Sequence, residues 1–246
     1  MTLAEILRPS CALFLDFDGT MVDIAPQPHA VEVPEPLIPL LRALHRYLDG
    51  ALAVISGRPI AQLDAFLQPL QIPAAGVHGA ERRSAGGQVH LLDTHPLDHV
   101  EHAARALAAL HPRLLVEDKR GSLALHYRQA PELEQLCLDT MQKAVDESPG
   151  MTLLRGKMVA EAKPGGASKG RAIEDFLREP PFAGRTPVFI GDDVTDEAGF
   201  STVQRLGGTG VKVGEGATVA ARRLPDPRTL LRELEAALAA RTPRTA

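Results

Sequence analysis

Short apolar runs recur in the first and last thirds of the chain, each followed by a turn and then by a stretch with helical spacing. Parallel strands joined by crossover helices leave this pattern in a sequence. Residues 12–17 form the first run. Leu37, Leu40, Leu41, Leu44 and Leu48 make one helical stripe within 34–48, and Gly50 closes it before the apolar run 51–55, completing a β-α-β unit. Gly57, Arg58 and Pro59 turn the chain into a short helix ending near residue 67, and 74–78 predicts a third strand. The alternation resumes late: Ser168 caps a helix reaching about residue 177, 187–190 is a strand, 195–206 a helix, 210–213 a strand and 229–240 a last helix.

The middle of the chain follows another logic. Residues 114–119 and 122–128 are strand-like runs joined by Arg120-Gly121, a hairpin signal, and 152–155 with 158–162 form a second pair around Gly156-Lys157. Helix, hairpin, helix, hairpin is an α+β pattern. The expected fold class is α/β: a doubly wound, Rossmann-like parallel-sheet core over 1–88 and 165–246, with an α+β domain inserted at 89–164.

Composition narrows the function. A length of 246 residues suits one main domain with a modest insertion, and 44% hydrophobic against 24% charged residues gives material for a core. A net charge of -4 offers no pull on a phosphodiester backbone, and 4% aromatics without Trp leave few stacking platforms, so no nucleic-acid partner is expected. Cys11 and Cys137 are too few for a disulfide framework, no charged-then-apolar leader opens the chain, and no apolar run approaches the roughly 20 residues of a membrane span. A cytoplasmic monomer without a membrane partner is the expectation.

The chemistry gathers at predicted strand ends. Asp16-Phe17-Asp18-Gly19-Thr20 sends two carboxylates off the first strand, where open α/β sheets place their ligands; Asp-Gly by itself is equally an ordinary turn. Gly191-Asp192-Asp193 ends a later strand, with Asp196 and Glu197 opening a helix as acids that the helix dipole also favours. Carboxylates converging from two strands form a hard oxygen site suited to Mg²⁺. Ser56-Gly57-Arg58 and Lys169 supply a hydroxyl, main-chain amides and a cation for a phosphate, although Ser56 alone reads as a helix cap and Lys169 alone as a solvated residue. In the insert, Glu117 and Lys119 share one strand face, as do Ala124, His126 and Arg128 on the next strand, with Leu123, Leu125 and Tyr127 opposite. Such a polar face suits a hydroxyl-rich sugar, and equally a solvated cross-strand pair. His78 reads as a turn histidine.

These four elements, in this order, resemble the haloacid dehalogenase-like (HAD) phosphohydrolases. The resemblance implies Asp16 as nucleophile and Asp18 as general acid and base. It also implies Thr20, Ser56, Gly57 and Lys169 on the phosphate, Asp16, Asp18 and Asp192 on Mg²⁺, and the insert as a substrate-choosing cap. More narrowly, Gly76-Val77-His78-Gly79-Ala80-Glu81, Glu117-Asp118-Lys119, Leu125-His126-Tyr127-Arg128, Glu161-Ala162-Lys163-Pro164-Gly165 and Asp192-Asp193-Val194-Thr195-Asp196-Glu197 are similar to the trehalose-6-phosphate phosphatase family over nearly the whole chain. That implies hydrolysis of a small-molecule substrate, trehalose 6-phosphate, with Glu117, Lys119, Glu161 and Arg58 on the sugar. A related capped phosphatase for another sugar phosphate is the nearest alternative. A phospho-receiver switch shares the sheet, the acids, the hydroxyl and the lysine, but neither the length nor the insert.

Overall fold

The computed structural model describes residues 2–25, 27, 29–92, 96–119 and 121–240; Arg120, half of the turn expected in the first hairpin, lies outside them. In chain order the elements are α1 (Leu3–Ile6), β1 (Cys11–Leu15), α2 (Leu37–Tyr47), β2 (Leu52–Ile55), α3 (Ile60–Leu67), β3 (Ala74–Gly76), β4 (Glu81–Arg83), β5 (Val89–Leu91), α4 (Asp98–Leu110), β6 (Leu115–Lys119), β7 (Ser122–His126), α5 (Glu134–Asp146), β8 (Met151–Gly156), β9 (Val159–Pro164), α6 (Lys169–Phe176), β10 (Thr186–Gly191), α7 (Glu197–Arg205), β11 (Thr209–Val213), β12 (Arg222–Leu224) and α8 (Pro227–Ala239). They fall into two compact units, residues 1–90 with 168–246 and residues Leu91–Ala167.

All five residues of β1 are buried, which requires strands on both of its edges and cover on both faces. β10 and β2 supply the edges, both parallel to β1, with Leu13 opposite Val188 on one side and Leu52 on the other. The first unit's sheet runs β12-β11-β10-β1-β2-β3-β4-β5. From β1 the chain winds outward through β2 and β3, then returns to β10 and winds outward the other way. The strand order therefore reverses between β1 and β10, and the carboxyl ends of those two strands flank the crevice where such sheets bind ligands. On one face α2 buries Leu37, Leu40, Leu41 and Leu44, each contributing roughly 1.5–3 kcal/mol through loss of water-exposed apolar surface. Phe14 packs on Phe176 and Phe182, ring centroids 5.9 and 5.5 Å away.

Three departures from the sequence reading have local causes. The third strand stops at Gly76 because Val77 and His78 take positive φ, 48° and 55°, a region no strand residue occupies. β4, β5 and β12 extend the sheet without having announced themselves: each has three residues, and β4 and β12 carry adjacent arginines rather than an apolar alternation. In the second hairpin Gly156 pairs with Val159, so the two-residue turn is Lys157-Met158, with Met158 at φ 60°, not Gly156-Lys157.

The second unit is an antiparallel sheet, β6-β7-β9-β8. Leu123, Leu125, Tyr127, Ala160 and Ala162 pack with Val100, Ala104 and Leu107 of α4 and with Cys137, Leu138 and Met141 of α5. The alternate residues form the sheet's other, polar face. No helix among the described residues is long and apolar enough to cross a membrane.

Candidate active site

Asp16 stands one residue beyond β1, its N–H still donating to Ile190 O at 2.9 Å, and Asp192 one residue beyond β10. With Asp196 they form a group of three buried acids whose carboxylate oxygens lie within 4.8 Å of one another. Lys169 bridges two of them, its Nζ 2.8 Å from Asp16 Oδ1 and 2.7 Å from Asp196 Oδ1. The chain delivers that lysine through Ser168, whose hydroxyl caps α6 by accepting from Arg171 N, so that Lys169 opens the helix. The other oxygen of Asp196 accepts from Asp192 N at 2.9 Å and Asp193 N at 2.8 Å. Only glycine fits at 191, where a Cβ would sit 2.3 Å from Asp196 Cγ, and at 19, where it would sit 2.2 Å from Asp192 Oδ2. Thr20 Oγ1 donates to Asp192 Oδ1 at 3.4 Å, and Lys212 Nζ donates to the Asp192 carbonyl.

Burial pushes the Asp16 carboxyl well above the usual carboxylate range; Asp196 and Asp192 push it further, and Lys169 opposes them. Burial would by itself lower Lys169, but the Asp16 and Asp196 carboxylates outweigh it and hold its pKa above the ordinary lysine value. Three carboxylates against this lysine leave surplus negative charge on hard oxygen donors. That donor set fits a divalent cation such as Mg²⁺.

Asp18, the third acid read as a metal ligand, is not in this group: Arg58 grips its carboxylate, Nε at 2.6 Å and Nη2 at 2.7 Å. Arg58 Nη1 also donates to Gln62 at 3.2 Å, and the guanidinium lies 5.0 Å from the Phe66 ring centroid and 5.8 Å from that of Phe17. Arg58, read from the resemblance as a sugar contact, is thus engaged with Asp18 inside the first unit. Ser56 is buried and its Oγ accepts from Arg58 N at 3.1 Å. Gly57 leaves room for the His78 imidazole, whose Cε1 lies 2.6 Å from where a Cβ would stand. His78 N–H donates to Ser56 O, and Glu81 Oε1 accepts from Ile60 N, so the loop after β2 is clamped from the segment after β3.

In the second unit, Ala124 lies opposite Glu117 on one side and Glu161 on the other, so these positions share the polar face. Lys119 Nζ is 2.8 Å from Glu161 Oε2 and 4.0 Å from Glu117 Oε2. Ser122 Oγ donates to Glu161 Oε1 at 2.9 Å, and His126 Nε2 meets Glu117 Oε2 at 2.8 Å. Burial raises the Glu117 pKa, but the His126 hydrogen bond and Lys119 overcome it and leave Glu117 below its ordinary value. Arg128 is outside this network, its Nη2 3.5 Å from Lys157 O.

Two residues around the site carry little signal in the sequence, Asp196 and Lys212. The available signal for Asp196 was its place three residues after Asp193, the spacing of a reciprocal cap, which the structure forms. Lys212 sits in a plain strand pattern and had no signal.

A family model described as trehalose-phosphatase matches residues 14–225. The chain is 47% identical over 227 residues to trehalose-6-phosphate phosphatase of Escherichia coli (strain K12), covering 91% of this chain and 85% of that protein. It is 45% identical over 208 residues to a probable trehalose-phosphate phosphatase of Sinorhizobium fredii, covering 82% and 77%. Among solved structures, the C-terminal domain of C. albicans trehalose-6-phosphate phosphatase shares the fold, with a TM-score of 0.83, 23% identity and coverage of 96% of this chain and 93% of that one.

Proposed function

The chain belongs to the trehalose-phosphatase family, and from that premise we propose that the buried acid–lysine group of its first unit hydrolyses trehalose 6-phosphate to trehalose and phosphate, closing trehalose biosynthesis. The observation that carries this reading is Lys169 held between Asp16 and Asp196 beside Asp192, at the point where the strand order reverses. The protein is a phosphoric monoester hydrolase. In the proposed reaction the Asp16 carboxylate attacks phosphorus in line, the bond from phosphorus to the sugar oxygen breaks, and Asp18 gives that oxygen its proton. Asp18, now a base, takes a proton from water as the water attacks the aspartyl phosphate, releasing phosphate and restoring Asp16. Lys169 offsets charge on the phosphoryl oxygens, and Thr20, Ser56 and the Gly57 amide orient them. Asp16 and Asp192 would hold Mg²⁺, which supplies further charge neutralisation.

Asp18 must leave Arg58 to do this. The incoming phosphate is a competing anion for the same guanidinium, so substrate entry itself favours the release. The second unit reads as the cap: Glu117, Lys119 and Glu161 present charged acceptors and a donor matched to sugar hydroxyls, and His126 steadies Glu117. Two free, buried cysteines suit a reducing cytoplasm. A panel of sugar phosphates tests the substrate: phosphate release with Mg²⁺ should be fastest from trehalose 6-phosphate by at least tenfold in kcat/KM. Equal or faster release from another sugar phosphate would transfer the reading to that substrate.

A further inference from the structure

Lys212 is a lysine that the proposed reaction does not use, and it is 4% exposed on β11, between β12 and β10. On β11 its neighbours Val211 and Val213 are buried as well. Burying an amine is costly unless it finds a partner. The partner here is a main-chain carbonyl, that of Asp192, and not a carboxylate. The register explains the reach: Lys212 lies opposite Gly191, the residue before Asp192.

The consequence lies in how Asp192 is held. Its N–H is fixed by Asp196 at 2.9 Å and its carbonyl by Lys212, so both peptide groups flanking its side chain are pinned. The carboxylate meets Thr20 Oγ1 at 3.4 Å and stands against Gly19. The backbone from which that side chain leaves is thus held on both sides. We propose that Lys212 is a positioning residue for the divalent-cation site: by fixing the Asp192 peptide it keeps that carboxylate aimed at Asp16, ready for the ion. This rests on the reading of Asp16 and Asp192 as the cation's ligands.

The test needs no turnover. The full chain is freed of divalent ions, and its thermal transition is followed by circular dichroism as MgCl₂ is added. In Lys212→Met the Mg²⁺ concentration giving half of the stabilisation should rise by about 10- to 100-fold, the usual loss when a partner orienting a metal ligand is removed. Lys212→Gln keeps a donor but loses reach and charge, and its midpoint should rise at least about threefold on the same grounds; it carries the test should the methionine variant not fold. A lysine that merely fills the sheet would lower the metal-free transition and leave the Mg²⁺ midpoint within twofold of the parent, which would overturn the proposal. So would a midpoint that falls, since relief of positive charge would then outweigh orientation. A parent chain with no response to Mg²⁺ would instead overturn the cation reading beneath it.

Discussion

Removing the Asp196 carboxylate should destabilise the first unit more than any change at an exposed acid. Asp196 is 0% exposed and its two oxygens accept from three donors: Lys169 Nζ at 2.7 Å and the N–H groups of Asp192 and Asp193 at 2.9 and 2.8 Å. In Asp196→Ala the Asp192 amide becomes a buried donor without an acceptor, at about 1–3 kcal/mol, and the half-buried Asp193 amide adds a loss toward the low end of that range. Lys169 keeps Asp16 at 2.8 Å, so its charge is not stranded, and loss of Asp196 also relieves repulsion on Asp16. These offsets hold the net cost to the loss of the two amide hydrogen bonds, about 2–4 kcal/mol, short of what stranding a buried charge would cost. At about 2–4 °C per kcal/mol for a unit of this size, the metal-free transition should fall by roughly 4–16 °C. Asp196→Asn preserves shape and one acceptor oxygen, and should lose about half as much. Circular dichroism melts of both variants and the parent, with chelator present, measure this directly. A drop below about 2 °C for the alanine variant, within what a surface substitution produces, would refute the argument that Asp196 anchors the loop from 191 to 196.

Glu117→Ala and Lys119→Ala should each lower kcat/KM for trehalose 6-phosphate by roughly 10- to 100-fold, the worth of one charge-assisted hydrogen bond, while hydrolysis of an aryl phosphate stays nearly unchanged; equal losses on both substrates would assign these residues to folding. Arg58→Gln separates its two roles: a grip on Asp18 predicts altered turnover of the aryl phosphate as well as the sugar phosphate, whereas a sugar contact predicts loss on trehalose 6-phosphate alone. The pH dependence follows from Asp16, whose raised pKa means that a proton competes for its carboxylate. The Mg²⁺ concentration for half-stabilisation should therefore increase as pH falls through that pKa, and Asp16→Asn should flatten the dependence; a parent profile independent of pH would contradict the assignment.

The parts of this fold that could be read in advance are those where local pattern and tertiary demand coincide. β1 and β10 are buried on both faces, so they appear as unbroken apolar runs, and the α2 stripe has one apolar side because only one side is covered. β4 and β12 are held by pairing to an existing edge, which leaves Arg82, Arg83, Arg222 and Arg223 free of any strand-like alternation. The site divides in the same way. Asp16, Ser56, Lys169 and Asp192 each sit at an element's end, where spacing gives them away. Asp18 is also at such an end, yet its ion pair with Arg58, forty residues along, depends on how the loops after β1 and β2 meet, and nothing local encodes it. Asp196 looks like any acid in a first helical turn until the structure shows Lys169 and two amides on it. Lys212 is invisible for the opposite reason: one lysine in an apolar strand carries no pattern, and its meaning comes from the register with Gly191.

If Asp16 attacks the phosphorus of trehalose 6-phosphate, turnover passes through an aspartyl phosphate that acid can trap. The parent chain, turning over trehalose 6-phosphate with Mg²⁺, is quenched in acid within the first turnovers and digested, and its peptides are examined by mass spectrometry. A phosphoryl group is expected on the peptide containing Asp16, located on Asp16 itself and absent from the Asp16→Asn variant, which should release no phosphate. Turnover with the phosphoryl group on another residue, or undiminished phosphate release by Asp16→Asn, would contradict attack by Asp16.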